Sequence, residues 1–217
     1  MDVSRETDRP DPAVVSAWFG SAGCLVDRYV DLLISDGVRR GLIGPREASR
    51  VWTRHILNCA VIHPLVKPGA TVGDVGSGAG LPGVVLALAR PDLTVTLIEP
   101  LLRRITFLEE AVDILGVPNI RVVRSRAEDL RGVAAFDVVT ARAVAPLDRL
   151  ARWTLPLCAP GGEVLAVKGS HVDAELTAAK PVLARLGAGR VRVEHCGVGV
   201  VDPATTVLRI QSSGSVT

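Results

Sequence analysis

Thr71-Val72-Gly73-Asp74-Val75-Gly76-Ser77-Gly78-Ala79-Gly80-Leu81-Pro82-Gly83 is the stretch on which the reading of this chain turns. A short β-branched run ends in an acid. Glycines then recur at 76, 78, 80 and 83, and the apolar run from Val84 to Ala89 follows. The pattern predicts a strand over 71–75, a tight loop, and a helix over 82–89 with Pro82 suited to its first turn. Glycines in such a loop let the backbone approach a ligand with no Cβ in the way. In open α/β sheets that ligand lies beyond the carboxyl ends of the strands.

Working outward, the same alternation continues. Strands are expected over 94–98, 120–123, 136–140 and 163–167. Helices are expected over 101–115, closed by Gly116, and over 147–157, ended by Pro160-Gly161-Gly162. A helix over 174–186 precedes two closing strands, 190–195 and 206–210, with no helix between them, which implies an antiparallel hairpin. Strand–helix alternation of this kind predicts a doubly wound, Rossmann-like α/β sheet covered on both faces. Upstream the period is helical. Trp18, Leu25, Tyr29, Leu32 and Leu33 recur at steps of three and four, and a further helix is expected over 46–61. The expected organisation is a tail (1–11) and helical cap within 1–64, then a ligand-binding domain over 65–217, acting as one unit.

Composition narrows the class. The chain has 217 residues, 48% of them apolar, enough for one sizeable core. Twenty-five Lys and Arg against 23 Asp and Glu leave +2, and only Lys67, Lys168 and Lys180 are lysines. The single tyrosine, Tyr29, has Leu33 where a Tyr-x-x-x-Lys dehydrogenase pair would need lysine. Cys24, Cys59, Cys158 and Cys196 share no Cys-x-x-Cys spacing, and the four histidines show no metal spacing, so no metal site is expected. The N-terminus lacks the basic-then-apolar pattern of a signal peptide, and no apolar run is long enough to span a bilayer. A cytoplasmic protein without membrane contact is expected.

Two cofactors compete for the glycine loop. Gly78-x-Gly80-x-x-Gly83 with Glu99 downstream fits a dinucleotide fingerprint and an NAD-linked oxidoreductase. Asp74-x-Gly76-x-Gly78-x-Gly80 fits S-adenosylmethionine, with Glu99 accepting from the ribose hydroxyls. Spacing favours neither. Three features favour S-adenosylmethionine. Asp74 would repel a pyrophosphate but suits a cationic amino-acid end. No second domain presents a hydride acceptor. Glu128-Asp129, after the third strand, is placed for an adenine amino group. A non-catalytic nucleotide- or RNA-binding module is the remaining alternative.

The methyl acceptor leaves signatures of its own. Cys158 has no adjacent base and reads as core, which argues against carbon methylation through a cysteine. The Asp/Asn-Pro-Pro-aromatic loop common for amino methylation is replaced by Thr140-Ala141-Arg142-Ala143-Val144-Ala145-Pro146. A ring nitrogen such as guanine N7 carries an exposed lone pair and needs no general base, only alignment. With one Tyr, three Phe and three Trp, a broad base-stacking platform is not expected.

The ordered set Arg54-His55-x-Leu57-Asn58, the glycine loop, Arg104-x-x-Phe107-Leu108, Ser125-Arg126-Ala127-Glu128, Arg142-Ala143 and Ala166-Val167-Lys168-Gly169 resembles the glucose-inhibited division protein B family. Its members are guanine-N7 methyltransferases of small-subunit (16S) ribosomal RNA. The resemblance covers roughly residues 12–210. It departs at Asn58-Cys59, where many members carry Asp-Ser, and at Glu99-Pro100, which replaces a common Asp-Ser.

The resemblance implies that Gly76, Leu81, Ala127, Glu128 and Arg142 line the site, in company with Asp74, Gly78 and Glu99. It implies 16S ribosomal RNA as partner, within the 30S subunit or an assembly intermediate, near where streptomycin acts. A monomer is expected. Arg142 and Lys168, at strand ends on the crevice side, are the expected positioning residues. Arg54, His55, Asn58, Arg104 and Arg126 are the RNA-binding candidates.

Overall fold

The computed structural model describes residues 8–213. Its centre is a seven-stranded sheet in the order β3-β2-β1-β4-β5-β7-β6. The strands are β1 (Thr71–Val75), β2 (Thr94–Ile98), β3 (Ile120–Val123), β4 (Phe136–Arg142), β5 (Cys158–Lys168), β6 (Ala188–Cys196) and β7 (Thr205–Ser212). β1 to β5 pair in parallel, whereas β7 inserts between β5 and β6 and runs antiparallel to both. The chain order reverses at β1, which has β2 on one side and β4 on the other. Such a reversal opens a crevice at the carboxyl ends of the strands.

Alternation along the strands splits the core into two layers. Val72, Val95 and Leu97 face one hydrophobic cluster with Val84 and Leu88 of the Gly83–Ala89 helix and Phe107 and Leu108 of the Leu102–Leu115 helix. Val75, Ile98, Val139 and Ala141 face the other, against Leu147 and Leu150 of the 147–154 helix and Ala179 and Leu183 of the 172–185 helix. Gly116, at φ +61°, closes the Leu102–Leu115 helix in the left-handed conformation that glycine adopts without steric cost.

The N-terminal region covers the first of these layers. It comprises helices Pro12–Phe19 and Gly23–Leu32, a π turn Leu33–Gly37, a 3-10 segment Pro45–Arg50 and a π segment Trp52–Leu57 that runs into Asn58–Ala60. The expected helix over 46–61 is therefore present but wound three ways. Phe19, Tyr29, Leu33, Trp52 and Ile56 are buried in the same cluster as Val72 and Leu97, so cap and sheet share one core.

Two local expectations need correction. The tail is tethered from Asp8 on: its carboxylate accepts from the Trp52 and Thr53 N–H groups, both at 2.9 Å, and Arg9 pairs with Asp27 at 2.8 Å. Asp11 caps the first helix through Ala13 N–H at 2.8 Å. Pro160-Gly161-Gly162 lies inside β5 rather than before it. Phe136 pairs with Cys158 and Val138 with Glu163, so the residues between form a bulge and the strand carries on through them.

Candidate active site

A cavity of about 690 Å³ opens at the reversal point. Its first wall is the loop after β1. Gly76 has φ +72°, and a Cβ there would stand 2.9 Å from the Val144 side chain, so only glycine keeps this part of the cavity open. Gly83 is a close-packing position: a Cβ would meet Leu97 at 2.4 Å and the Asp74 carboxylate at 2.7 Å. The buried Tyr29 hydroxyl donates to the Ala79 carbonyl at 2.6 Å and holds the loop from beneath.

Glu99, at the end of β2, lines this wall with its side chain only 1% exposed. Oε1 accepts from Leu101 N–H at 3.0 Å. Oε2 accepts from Gly78 N–H at 3.1 Å and from Arg104 at 3.2 Å. Each carboxylate oxygen has about two acceptor directions, so Oε1 retains one for a ligand hydroxyl. Leu81, Ala127, Glu128, Arg126 and Gly78 also border the cavity, as does Trp153.

Arg142 ends β4, the strand beside β1, and also lines the cavity. Its guanidinium donates to the Arg54 carbonyl at 2.9 Å, to Cys59 Sγ at 3.2 Å and to His55 Nδ1 at 2.8 Å. A guanidinium can only donate, so His55 Nδ1 must accept and the ring proton sits on Nε2. Burial, with the Arg142 charge adding to it, lowers the His55 pKa to about 4. The imidazole is therefore neutral at neutral pH. Burial also pushes the Cys158 thiol up to about 12, consistent with an inert core cysteine.

Four candidates stand where sequence reasoning did not put them. Asp74 is fully buried beneath the loop and does not line the cavity. One of its oxygens accepts from Gly83 N–H at 3.1 Å while Oδ1 has no partner, and burial raises its pKa to about 7. Lys168 is 7% exposed and also lies off the cavity wall. It pairs with Glu175 at 2.6 Å and donates to the Ala145 carbonyl at 3.0 Å, which braces the turn after β4. Asn58 is engaged internally with the Thr53 and Arg54 carbonyls and with Thr205. Arg104, an RNA-binding candidate, is held on Glu99 at the cavity wall.

Sequence reasoning missed Glu47, Val144 and Trp153, all of which line the cavity. Trp153, one of three tryptophans, could have been singled out by rarity. Nothing local marks Glu47.

Among the described residues there is no cluster of metal-binding side chains, and no helix is long and apolar enough to cross a membrane. A protein-family model described as rRNA small subunit methyltransferase G matches residues 24–201. The ribosomal RNA small subunit methyltransferase G of Salinispora tropica is 55% identical over 211 residues, covering 93% of this chain and 87% of that protein. Its namesake from Streptomyces avermitilis is 54% identical over 203 residues, covering 93% and 85%. The solved structure of M. jannaschii TYW2 in complex with AdoMet is similar in fold, with a TM-score of 0.57 at 14% identity, covering 76% of this chain and 78% of that one.

Proposed function

Because this chain belongs to the rRNA small subunit methyltransferase G family, we propose that it methylates N7 of a guanine in the decoding-region loop of 16S ribosomal RNA. S-adenosylmethionine, when bound, supplies an electrophilic sulfonium methyl. The observation that carries this reading is the cradle at the β1–β4 reversal: an open glycine loop facing a buried carboxylate at the end of β2.

The residues of that cradle suit the cofactor. Gly76 would leave room beside Val144 for its bulk, and Glu99 Oε1 would accept from a ribose hydroxyl. Ala127 and Glu128 border the same cavity, where a backbone N–H and a carboxylate suit an adenine edge. A guanine N7 attacks through its own lone pair, so the chain has only to align the reactants and exclude water. Arg142, fixed by three contacts on the cap, is the positioning group nearest that task. Neutral His55 and buried Asp74 are not required as bases. Lys168 acts at one remove, through the turn at Ala145.

The site of action is the cytoplasm, on the 30S subunit or an assembly intermediate. Binding would depend on the arginines around the cavity mouth, Arg126 foremost, and so weaken with added salt. The test maps N7-methylguanine in 16S ribosomal RNA with and without the protein. Calorimetry with S-adenosylhomocysteine and with NAD runs beside it. The reading predicts a new N7-methylguanine and binding of S-adenosylhomocysteine alone. Binding of NAD without methyl transfer would restore the oxidoreductase alternative.

A further inference from the structure

Part of the cavity lining belongs to the cap, and it holds an acid with no part in the chemistry above. Glu47 stands in the first turn of the 3-10 segment Pro45–Arg50 and lines the cavity beside Leu42, Ile43 and His55. Its Oε2 lies 2.5 Å from Arg54 Nε and 3.2 Å from His55 Nε2, so one cation balances the charge. His55 Nε2 has no hydrogen-bond partner despite that proximity. Among the described residues no hydrogen bond reaches Glu47 Oε1. The carboxylate is thus held in place with acceptor capacity left over, on a wall it shares with Leu42, Ile43 and His55.

Paired acceptor oxygens recognise paired donors. Of the four RNA bases only guanine presents two adjacent donors on one edge, N1–H and the N2 amino group. Bases that undergo chemistry are read on this Watson–Crick edge. Adenine would set its N1 lone pair against the carboxylate, and uracil and cytosine offer no second adjacent donor. A guanine gripped by that edge turns N7, on its five-membered ring, away from the cap. The glycine loop lines the same cavity.

We propose that Glu47 is the specificity residue for the acceptor base, accepting hydrogen bonds from N1–H and the N2 amino group of the target guanine. This rests on the methyl-transfer reading given above.

The test compares wild type with Glu47→Gln and Glu47→Asp on 30S subunits lacking the modification. Guanosine and inosine serve as competitors, since inosine keeps N1–H but lacks the N2 amine. Glu47→Gln should lower kcat/KM about 100-fold, because its amide sets a donor against a donor. S-adenosylhomocysteine affinity should stay within about twofold. Guanosine should inhibit the wild type about tenfold better than inosine, and that preference should vanish in Glu47→Gln and partly return in Glu47→Asp. A purely structural role would weaken both competitors and leave their ratio alone.

Wild-type turnover by Glu47→Gln, or an unchanged competitor ratio, overturns the proposal. Should the glutamine variant fail to fold, a wild-type ratio near one overturns it as well. If the wild type binds S-adenosylhomocysteine yet forms no N7-methylguanine, the function proposed above falls and this inference with it. If the wild type methylates N7 and Glu47→Gln equals it, this inference alone falls.

Discussion

The two walls of the cavity are held by different means. On the loop wall, backbone groups provide most of the contacts, across 2 to 21 residues of chain: Gly78 and Leu101 N–H to Glu99, Gly83 N–H to Asp74. On the cap wall, side chains reach across the sequence. Arg142 binds His55 and Arg54, 87 and 88 residues away, and Thr205 binds Asn58, 147 residues away. The loop wall therefore depends on the absence of side chains at a few positions. The cap wall depends on the identity of side chains whose partners sit on other elements.

Breaking the loop wall should have the largest effect. Gly76→Val places a β-branched residue at φ +72° and drives it into Val144. Calorimetry should find S-adenosylhomocysteine affinity reduced at least about 100-fold. Far-ultraviolet circular dichroism should still show the α/β fold.

The second test strikes the opposite wall through its brace. Lys168→Ala strips Glu175 and the Ala145 carbonyl of a buried partner. Losing these charged hydrogen bonds beside a partly exposed Glu175 costs about 1.5 kcal/mol, visible as a lower denaturation midpoint. Glu175 Oε2 also accepts from Leu147 N–H at 3.0 Å, so the turn that carries Val144 should loosen and turnover should fall. Cofactor affinity, set on the other wall, should change by less than about tenfold.

The smallest expected effect separates the walls by pH. His55, on the cap, has its pKa lowered to about 4, so its contribution is present above the unfolded value of about 6.5 and is lost as pH falls toward 4. Asp74, under the loop, has its pKa raised to about 7, so its contribution is complete below about 3.8 and is lost as pH rises through 7. The two oppose each other between pH 4 and 7. Relative to wild type, His55→Gln should gain about 2 kcal/mol on going from pH 7 to 5. Asp74→Asn should gain as pH rises from 5 to 8. Melting temperatures that shift in parallel for both variants would show that neither group titrates as its burial requires.

The same contrast explains which features are legible in the sequence. Strands β1, β2 and β3 have the expected bounds, because each is a short apolar run punctuated by glycine or proline. Gly76 and Glu99 are legible for a similar reason: a local pattern places them at strand ends. Asp74 sits in that pattern as well, but its strand position turns it into the core, and counting along the motif cannot show that. Lys168 reads as a site residue until Glu175, seven residues on, is found against it. Glu47 has no local signature at all. Its place in the cavity arises only when the cap folds over the sheet.

The bond from Thr205 to Asn58 has a consequence for the order in which the enzyme comes into being. Thr205 lies in the last strand, and its hydroxyl donates to the carbonyl of Asn58, at 3.2 Å, as well as to that residue's side chain. Nearby, the backbone at Gly197 approaches Val61 so closely that a Cβ would stand 2.6 Å from it. The cap leaves the ribosome before the strand that helps to seat it, which is translated 147 residues later. Translation proceeds at about 5–20 residues per second, so the wait between the two segments is on the order of ten seconds. During that interval the nascent chain holds a cap without its anchor on β7. Pairing of β7 with β5 is then the event that gives the cap its anchor on the sheet.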